Sequence, residues 1–307
     1  MTTLLPTLTH IYQHHHIDST RWERYRPRTE DIIISTSYKS GTTWTQGIVR
    51  HLIFLNQETM PLIDDASPWL ERNRRPLDEV IEELERQTHR RFIKTHLALD
   101  GIPYFPQVKY IVVGRDARDV ALSLWNHYSN YLPEMYASLN DVLGRVGEPF
   151  PQCPDDIHEF YRAWITRGWF AWESEGYPYW GNLHHTATWW AYRHLDNLLF
   201  VHFGDLLANL TGEIQRIANF LDMTVSDHDV EKIARNVSLA EMRSEAERTD
   251  AGLVDSFKGG AATFFFKGIN GRWKEILSDE ELALYQSAVA RVLTPEAARW
   301  LEEGRGE

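Results

Sequence analysis

A short apolar run that leads directly into a glycine-containing turn is the feature that most constrains this chain. Ile32, Ile33 and Ile34 are three consecutive β-branched residues, the pattern of a strand that is covered on both faces. Residues 39–43 then supply a lysine, a glycine, three hydroxyl groups and a series of backbone N–H groups, and apolar residues recur at helical spacing from Trp44 onward. Because a helix N-terminus offers unpaired N–H donors and a partial positive charge, we expect this turn to bind a phosphate or sulfate group.

A second strand-like run, Lys109–Gly114, also ends in a residue suited to an anion. Arg115 follows it directly, and Ser123 lies about two turns into the helix that is expected next. The planar guanidinium of an arginine can pair two phosphate oxygens at once. The alternative for Arg115 is a local ion pair with Asp119, and Ser123 could be an ordinary helical serine.

A histidine follows the third strand-like run, Arg91–Thr95. A neutral imidazole is a competent base near neutral pH, so His96 is a candidate to remove a proton from a hydroxyl group. The chain contains fourteen histidines, and a lone histidine is more often a surface or core residue than a catalytic one. The position of His96 between the two anion-binding motifs is what singles it out.

These segments resemble the cytosolic sulfotransferases, enzymes that transfer a sulfonate group from 3′-phosphoadenosine 5′-phosphosulfate (PAPS). Lys-Ser-Gly-Thr-Thr-Trp at 39–44 is similar to the family's 5′-phosphosulfate loop, and Arg115 with Ser123 resembles its 3′-phosphate element. Lys-Thr-His at 94–96 matches the family's element with the catalytic histidine, and 264–274 resembles a loop that closes over the nucleotide. Lys39 precedes the glycine, which differs from the Walker A pattern.

The alternation of strand and helix patterns predicts an α/β fold with a mainly parallel central β-sheet flanked by helices, and the resemblance implies a P-loop-like domain. We expect a single domain over 1–307, with a nucleotide-binding core at about 26–128 and 195–275. An aromatic-rich insertion at about 129–181 is expected to cover the acceptor site. The predicted strands are Asp31–Thr36, Arg91–Thr95, Lys109–Gly114 and Asn197–Phe203. The predicted helices are Trp44–Asn56, Leu77–Arg86, Ala117–Tyr128, His184–His194, Leu206–Leu221, Asp227–Arg235 and Asp279–Leu293.

The resemblance also implies a role for each candidate site residue. His96 would be the catalytic base, Lys39 would stabilise charge on the oxygen that leaves with the nucleotide, and Lys94 would hold the sulfonate oxygens. The expected nucleotide-binding residues are Lys39, Ser40, Gly41, Thr42, Thr43, Trp44, Arg115, Ser123, Phe203, Leu239, Phe266, Lys267, Gly268 and Arg272. PAPS is the implied co-substrate, 3′-phosphoadenosine 5′-phosphate (PAP) is the product, and no metal is expected.

Four of these positions depart from the family's pattern. Phe203 stands where a tyrosine is common, and Leu239 replaces a phenylalanine that stacks on the base. Phe266 replaces an arginine that usually reaches the 3′-phosphate, and Arg272 stands where the family has an aspartate. One cation is therefore lost and another appears six residues later. We hypothesise that Arg272 partly substitutes for the missing arginine.

Aromatic residues concentrate in the middle of the chain, where seven of its twelve tryptophans lie between Trp125 and Trp190. Because aromatic-lined clefts suit flat or lipophilic small molecules, we expect a phenol or alcohol as acceptor, and an amine or a sugar remains open. Two other functions also remain open: an ATP-dependent P-loop small-molecule kinase, and a non-catalytic protein that binds a bisphosphate nucleotide.

The net charge and the cysteine content limit the binding partners and the compartment that suit this chain. The formal net charge of −12 disfavours nonspecific nucleic-acid binding. We expect no signal peptide and no membrane span, and the single cysteine, Cys153, excludes an internal disulfide and fits a reducing, cytoplasmic location. The run His14-His15-His16 is expected to belong to a solvated N-terminal segment rather than to a metal site. The oligomeric state is not predicted.

Overall fold

Four parallel strands form the sheet at the centre of the protein. The computed structural model describes residues 4–141 and 146–306. The strands are β1 (Ile32–Thr36), β2 (Phe92–Thr95), β3 (Lys109–Gly114) and β4 (Leu198–His202), in the order β2-β1-β3-β4. All three pairings are parallel. The predicted α/β fold with a mainly parallel sheet is confirmed, and each strand lies within one residue of its predicted limits.

Helices cover both faces of this sheet. The α-helices of the described residues are α1 (Thr42–Ile53), α2 (Ile63–Ala66), α3 (Leu77–Arg86), α4 (Ala117–Ser129), α5 (Pro133–Asn140), α6 (Ile157–Thr166), α7 (Asn182–Trp190), α8 (Phe203–Ala208), α9 (Leu210–Phe220), α10 (Asp227–Asn236), α11 (Leu239–Thr249), α12 (Ala251–Ser256), α13 (Gly260–Phe264), α14 (Asp279–Val292) and α15 (Pro295–Glu303). Short 3-10 turns occur at Ser19–Arg24, Leu99–Gly101 and Arg272–Glu275. Across residues 4–141 and 146–306, no helix has the length and apolar character that crossing a bilayer requires.

Alternate residues of the strands supply two separate cores. Ile33 and Ile93 belong to a large core that the N-terminal segment, α4, α6 and α7 complete. Ile34 and Phe92 belong to a second core with residues of α1, α9 and α10. Every residue of β1 is buried, which confirms the expectation drawn from its three isoleucines. Since the strands are parallel and covered on both faces, only their ends are free to form a site.

Two predictions about local structure were wrong. The predicted helix Leu206–Leu221 is divided at Asn209, whose side-chain oxygen accepts a hydrogen bond from Gly212 N at 3.0 Å and starts α9. Asparagine competes with helical hydrogen bonding in this way, so it favours a helix start over a helix interior. The predicted helix His184–His194 also ends early, at Trp190.

The histidine run at the N-terminus is buried, not solvated as expected. The side chains of His14, His15 and His16 are 1%, 0% and 5% exposed. His14 stacks on Tyr179 with ring centroids 4.0 Å apart, and His16 packs edge-on against Trp69 at 5.1 Å. The aromatic residues that bury this run come from distant parts of the chain, so the sequence pattern around it did not indicate burial.

A buried ion pair lies at the amino ends of β1 and β2, opposite the strand ends that carry the motifs. Arg91 Nε donates to both carboxylate oxygens of Asp31 at 3.0 and 3.1 Å, and the two side chains are 0% and 2% exposed. Tyr25 OH and the backbone N–H of Arg28 donate to the same carboxylate. Arg91 also reaches Glu85 and the carbonyl of Arg26. The pair therefore connects the chain entering β1 to β2.

We expect Arg91→Met to lower the free energy of unfolding by about 3–5 kcal/mol, because it leaves the Asp31 carboxylate buried without its cation. Urea denaturation followed by circular dichroism measures the change. Arg86→Met is the matched control: Arg86 makes an exposed ion pair with Glu82, and its loss should cost less than about 1 kcal/mol. Equal effects of the two substitutions would contradict this role for Arg91.

Candidate active site

The turn between β1 and α1 has a backbone conformation suited to an anion. Lys39 has φ +66° and Gly41 has φ +113°. Gly41 is the residue that precedes α1, and no side chain caps this helix start. A Cβ added at Gly41 would lie 3.0 Å from the Phe203 ring, so the position requires glycine both for its φ and for its close approach. The first N–H groups of α1 and its partial positive charge are therefore directed to this turn.

Hydroxyl pairs hold the turn in place. The Oγ atoms of Ser37 and Ser40 are 2.7 Å apart, and the Oγ1 atoms of Thr36 and Thr42 are 2.6 Å apart. Asn182 of α7 donates to Ser37 Oγ. These contacts fix the backbone before any ligand arrives, which lowers the entropic cost of binding one.

Lys39 is the cation of this turn. Its Nζ lies 3.4 Å from His127 Nδ1 and 4.6 Å from the centroid of the Phe264 ring. Burial, assisted by the nearby Arg115 charge, lowers the pKa of Lys39 to about 7. Among the described residues no carboxylate pairs with this amine. It is therefore available to an incoming anion, which would restore its full positive charge.

His96 is held as a neutral base. Its Nδ1 donates to the carbonyl oxygen of Thr36 at 2.9 Å, so the lone pair of the neutral ring is on Nε2. Burial lowers the pKa of His96 to about 3. Within the described part of the chain Nε2 has no hydrogen-bond partner. The rings of Tyr38, Trp69 and Trp180 surround the imidazole edge-on at 4.8, 4.9 and 5.2 Å.

A buried glutamate that the sequence reasoning missed fixes the backbone at this base. Glu71 Oε1 accepts hydrogen bonds from His96 N at 2.9 Å and from Thr95 Oγ1 at 2.8 Å. Glu71 Oε2 accepts from Trp22 Nε1 at 3.0 Å. The side chain is 0% exposed, and burial raises its pKa. Glu71 lies outside every motif, and the sequence carries no signal that separates it from the other glutamates.

Lys94 is adjacent to His96 but is engaged elsewhere. Its Nζ forms an ion pair with Asp64 at 3.1 Å, and Asp64 is 78% exposed. Nζ also lies 5.7 Å from the centroid of Trp69, which contacts His96. Because exposed ion pairs are weak, the Asp64 contact is readily exchanged for a stronger anion. Lys39, Lys94 and His96 are thus gathered at the carboxyl ends of β1 and β2.

Arg115 joins the turn to the segment that precedes the last 3-10 turn. Its guanidinium donates to Asn270 Oδ1 at 2.9 Å, to the carbonyl of Ile269 at 2.8 Å and to the carbonyl of Lys39 at 3.2 Å. It also covers the Phe203 ring at 4.2 Å. Asp119, one turn further along α4, accepts from the backbone N–H groups of residues 271 and 272. The second anion-binding motif therefore lies beside the first, as the sequence predicts.

Several of the other predicted nucleotide-binding residues contact one another. Trp44 and Phe203 meet edge-on at 5.3 Å, and the buried Trp44 Nε1 has no hydrogen-bond partner among the described residues. Leu239 would lie 3.1 Å from a Cβ added at Gly268. Phe266 lies under the side chains of both Lys267 and Arg272, at 5.3 and 5.1 Å. Ser123 is half-buried on α4, eight residues after Arg115.

His96 also lines a small cavity. Its volume is about 20 Å³. It is lined by Tyr12, His14, Ile17, His96, Leu97, Ala98, Phe170, Glu173, Tyr179, Trp180, Gly181 and His185. The N-terminal segment and the aromatic-rich section thus meet at the base. His96 thus contacts the strand end that enters the turn and also lines this cavity.

Comparison with known proteins gives the family of the chain. A family model described as a sulfotransferase domain matches residues 29–295. A glycolipid sulfotransferase of Mycobacterium tuberculosis is 32% identical over 308 residues, which cover 96% of this chain and 94% of that protein. Human sulfotransferase 1E1 is 26% identical over 262 residues, covering 82% of this chain and 80% of that protein.

Solved structures show the same fold. Mouse sulfotransferase SULT7A1 in complex with PAP superposes with a TM-score of 0.68 at 20% identity, covering 91% of this chain and 90% of that one. Retinol dehydratase in complex with androsterone and PAP gives a TM-score of 0.66 at 21% identity, covering 91% of this chain and 87% of that one.

The lowered pKa of Lys39 has a consequence for stability. Between the folded value of about 7 and the ordinary value of 10.5, the unfolded chain binds a proton that the folded chain lacks. Lys39 therefore makes the free energy of unfolding rise with pH over that window. We expect wild type to gain stability relative to Lys39→Met between about pH 7 and 10, as measured by urea denaturation.

Lys274→Met is the control, because Lys274 is an exposed lysine of the same region. Its denaturation midpoints should follow those of wild type at every pH. A Lys39→Met curve that stays parallel to wild type would mean that Lys39 is not desolvated in the folded protein.

Proposed function

Because the chain belongs to the sulfotransferase family, we propose that it transfers a sulfonate group from PAPS to a hydroxyl group of a small lipophilic acceptor, with His96 as the base. One observation carries this proposal: His96, a neutral imidazole whose Nε2 is unshared among the described residues, is bonded through Nδ1 to the strand end that enters the turn and also lines the cavity. A hydroxyl group of the acceptor would donate to Nε2, and the oxygen of the same hydroxyl group would face a sulfonate held at the turn.

The residues at the turn suit the 5′ end of this donor. Gly41 at the start of α1 and the hydroxyl-bearing residues Ser40, Thr42 and Thr43 surround the helix N-terminus with donors. Lys39 adds an amine without a carboxylate partner among the described residues. Trp44, whose Nε1 is buried and unpaired among the described residues, offers a ring for the adenine.

The 3′ end of the donor would be held by Arg115 and Ser123, with Lys267 and Gly268 on the facing segment. Arg115 would exchange its hydrogen bonds to Asn270 and Ile269 for phosphate oxygens, which are stronger partners because they are charged. Arg272 is close enough to lower the pKa of Arg115. This proximity supports the hypothesis that Arg272 substitutes for the cation lost at Phe266.

The proposed chemistry is an in-line displacement. The acceptor oxygen forms a bond to sulfur as the bond from sulfur to the bridging phosphate oxygen breaks, and the acceptor proton goes to His96 Nε2. Lys39 stabilises the negative charge that develops on the bridging oxygen. Lys94, after release from Asp64, holds the sulfonate oxygens. Fixed positive groups and positioning supply the rate enhancement, as they do in phosphoryl transfer.

The rings beside His96 favour an acceptor with a lipophilic part. Tyr12, Phe170, Tyr179 and Trp180 line the cavity, and the mycobacterial relative is named for glycolipids. The cavity is smaller than such a molecule, so its aromatic walls must separate when the acceptor binds. We further propose a cytoplasmic location, since the single thiol of Cys153 suits a reducing compartment.

Replacement of the base tests the proposed mechanism. We expect His96→Ala to lower kcat by about 10²- to 10⁴-fold, because no other group accepts the proton from the acceptor hydroxyl. PAP binding, measured by calorimetry, should remain within about threefold of wild type, a change under 1 kcal/mol. His89→Ala is the control, since His89 lies before β2 at the opposite end of the strand and packs on Phe54.

Three outcomes would contradict the proposal in different ways. Joint loss of PAP binding and turnover in His96→Ala would make His96 a structural residue. PAP binding without sulfonate transfer to a panel of phenols, alcohols and amines would indicate a nucleotide-binding protein. Turnover with ATP that a chelator abolishes would indicate a kinase.

Glu71 should act on turnover through the position of His96. We expect Glu71→Gln to lower kcat by about 10- to 100-fold with little change in PAP affinity, because the amide cannot accept all three hydrogen bonds and the base is displaced. The split between kcat and nucleotide affinity distinguishes positioning from general destabilisation. Glu82→Gln, at an exposed ion pair, should leave both unchanged. A parallel loss of affinity and kcat in Glu71→Gln would contradict this role.

A further inference from the structure

His14 carries a buried hydrogen-bond donor that the proposed mechanism does not use. It lines the cavity beside His96 and is 1% exposed. The backbone N–H of His16 donates to His14 Nδ1 at 3.1 Å, so Nδ1 is unprotonated. Burial keeps the pKa of His14 well below its ordinary value, and the ring is neutral. The proton of the neutral ring is therefore on Nε2.

This Nε2–H group has no hydrogen-bond partner among the described residues. Buried donors are satisfied in the large majority of protein structures, so an unpaired donor on a residue that lines a cavity points to a ligand atom that accepts from it. The ring itself is held firmly, because it stacks on Tyr179 at 4.0 Å with an interplanar angle of 4°. The donor is thus fixed in place by its surroundings.

His14 and His96 offer opposite halves of a hydrogen-bonding pattern in one cavity. His96 Nε2 can only accept, and His14 Nε2 can only donate. Both rings contact Trp180, whose ring centroid is 5.2 Å from that of His96 and 6.2 Å from that of His14. Tyr12 is not a second free donor, because its hydroxyl donates to Asp100 Oδ1 at 2.8 Å.

We propose that His14 is a specificity residue whose Nε2–H donates to a second oxygen of the acceptor, so that the enzyme selects a sugar or polyol headgroup over a simple alcohol. This inference rests on the proposed function, since it takes the hydroxyl beside His96 as the one that is sulfonated. The second oxygen would belong to the same acceptor molecule, since both histidines line one cavity. Simple alcohols and phenols leave the donor unpaired, which is costly in a buried site.

The test compares two acceptors that share one alkyl chain. Octyl β-glucoside carries further oxygens near each hydroxyl, and 1-octanol carries none. Calorimetry on the PAP complex measures the affinity for each compound, and radiolabelled sulfonate transfer measures kcat/KM. Wild type should favour the glucoside by about 10- to 100-fold.

His14→Phe keeps a ring on Tyr179 and removes the donor, so the preference should fall to within about threefold, because the glucoside loses a partner and octanol no longer leaves a buried donor unpaired. His14→Gln retains an N–H donor and should keep most of the preference. His16→Phe is the matched control, because His16 is buried two residues away and packs on Trp69 without lining the cavity.

Equal affinity of wild type for the two compounds would overturn the proposal, as would a preference that His14→Phe retains. The two hypotheses fail separately. Transfer to both compounds with a preference independent of His14 would keep the proposed function and refute the role of this histidine. Glucoside binding that depends on His14, without transfer, would support the site and refute the function.

Discussion

The hydrogen bond from His96 Nδ1 to the carbonyl oxygen of Thr36 is the contact on which the site depends. It joins the end of β2 to the end of β1, and therefore the proposed base to the proposed anion-binding turn. It also decides which nitrogen keeps the lone pair. The parallel register makes the contact possible. Ser35 lies opposite Thr95, so the residues that follow them, Thr36 and His96, are adjacent. Glu71 accepts a hydrogen bond from the backbone N–H of His96 and so fixes the same segment.

Burial sets the protonation states around this contact. The same exclusion of water that lowers the pKa values of His96 and Lys39 raises that of Glu71. Before a ligand arrives, the site is therefore poorer in positive charge than its sequence implies. An anionic donor would favour the charged form of Lys39, so that the cation is strongest when the donor is in place. The net charge does not indicate these local protonation states, because the chain as a whole is acidic.

The sequence predicted the parts of the fold and site that depend on neighbours along the chain. The four strands, the turn at Lys39 and Gly41 and the strand-end positions of Arg115 and His96 all follow from local patterns. Glu71 and His14 did not follow, because their roles come from partners far away in sequence. The break at Asn209 was missed because helical spacing of apolar residues continues across it, while a single side chain decides the outcome. The catalytic and nucleotide-binding roles of all the predicted site residues, from His96 and Lys39 to Ser123 and Arg272, stay predictions, since they concern a bound donor or acceptor.

Arg115 illustrates a general property of cations that are buried before their ligand binds. Asn270, Lys39 and Ile269 already accept hydrogen bonds from it, so a phosphate bound there would replace existing partners with new ones. Affinity then reflects the difference between those two sets, which is smaller than the strength of either. The amide and carbonyl groups of the protein would likewise take the place of a departing product. Such an exchange would lower the affinity for the nucleotide and favour its release after each turnover.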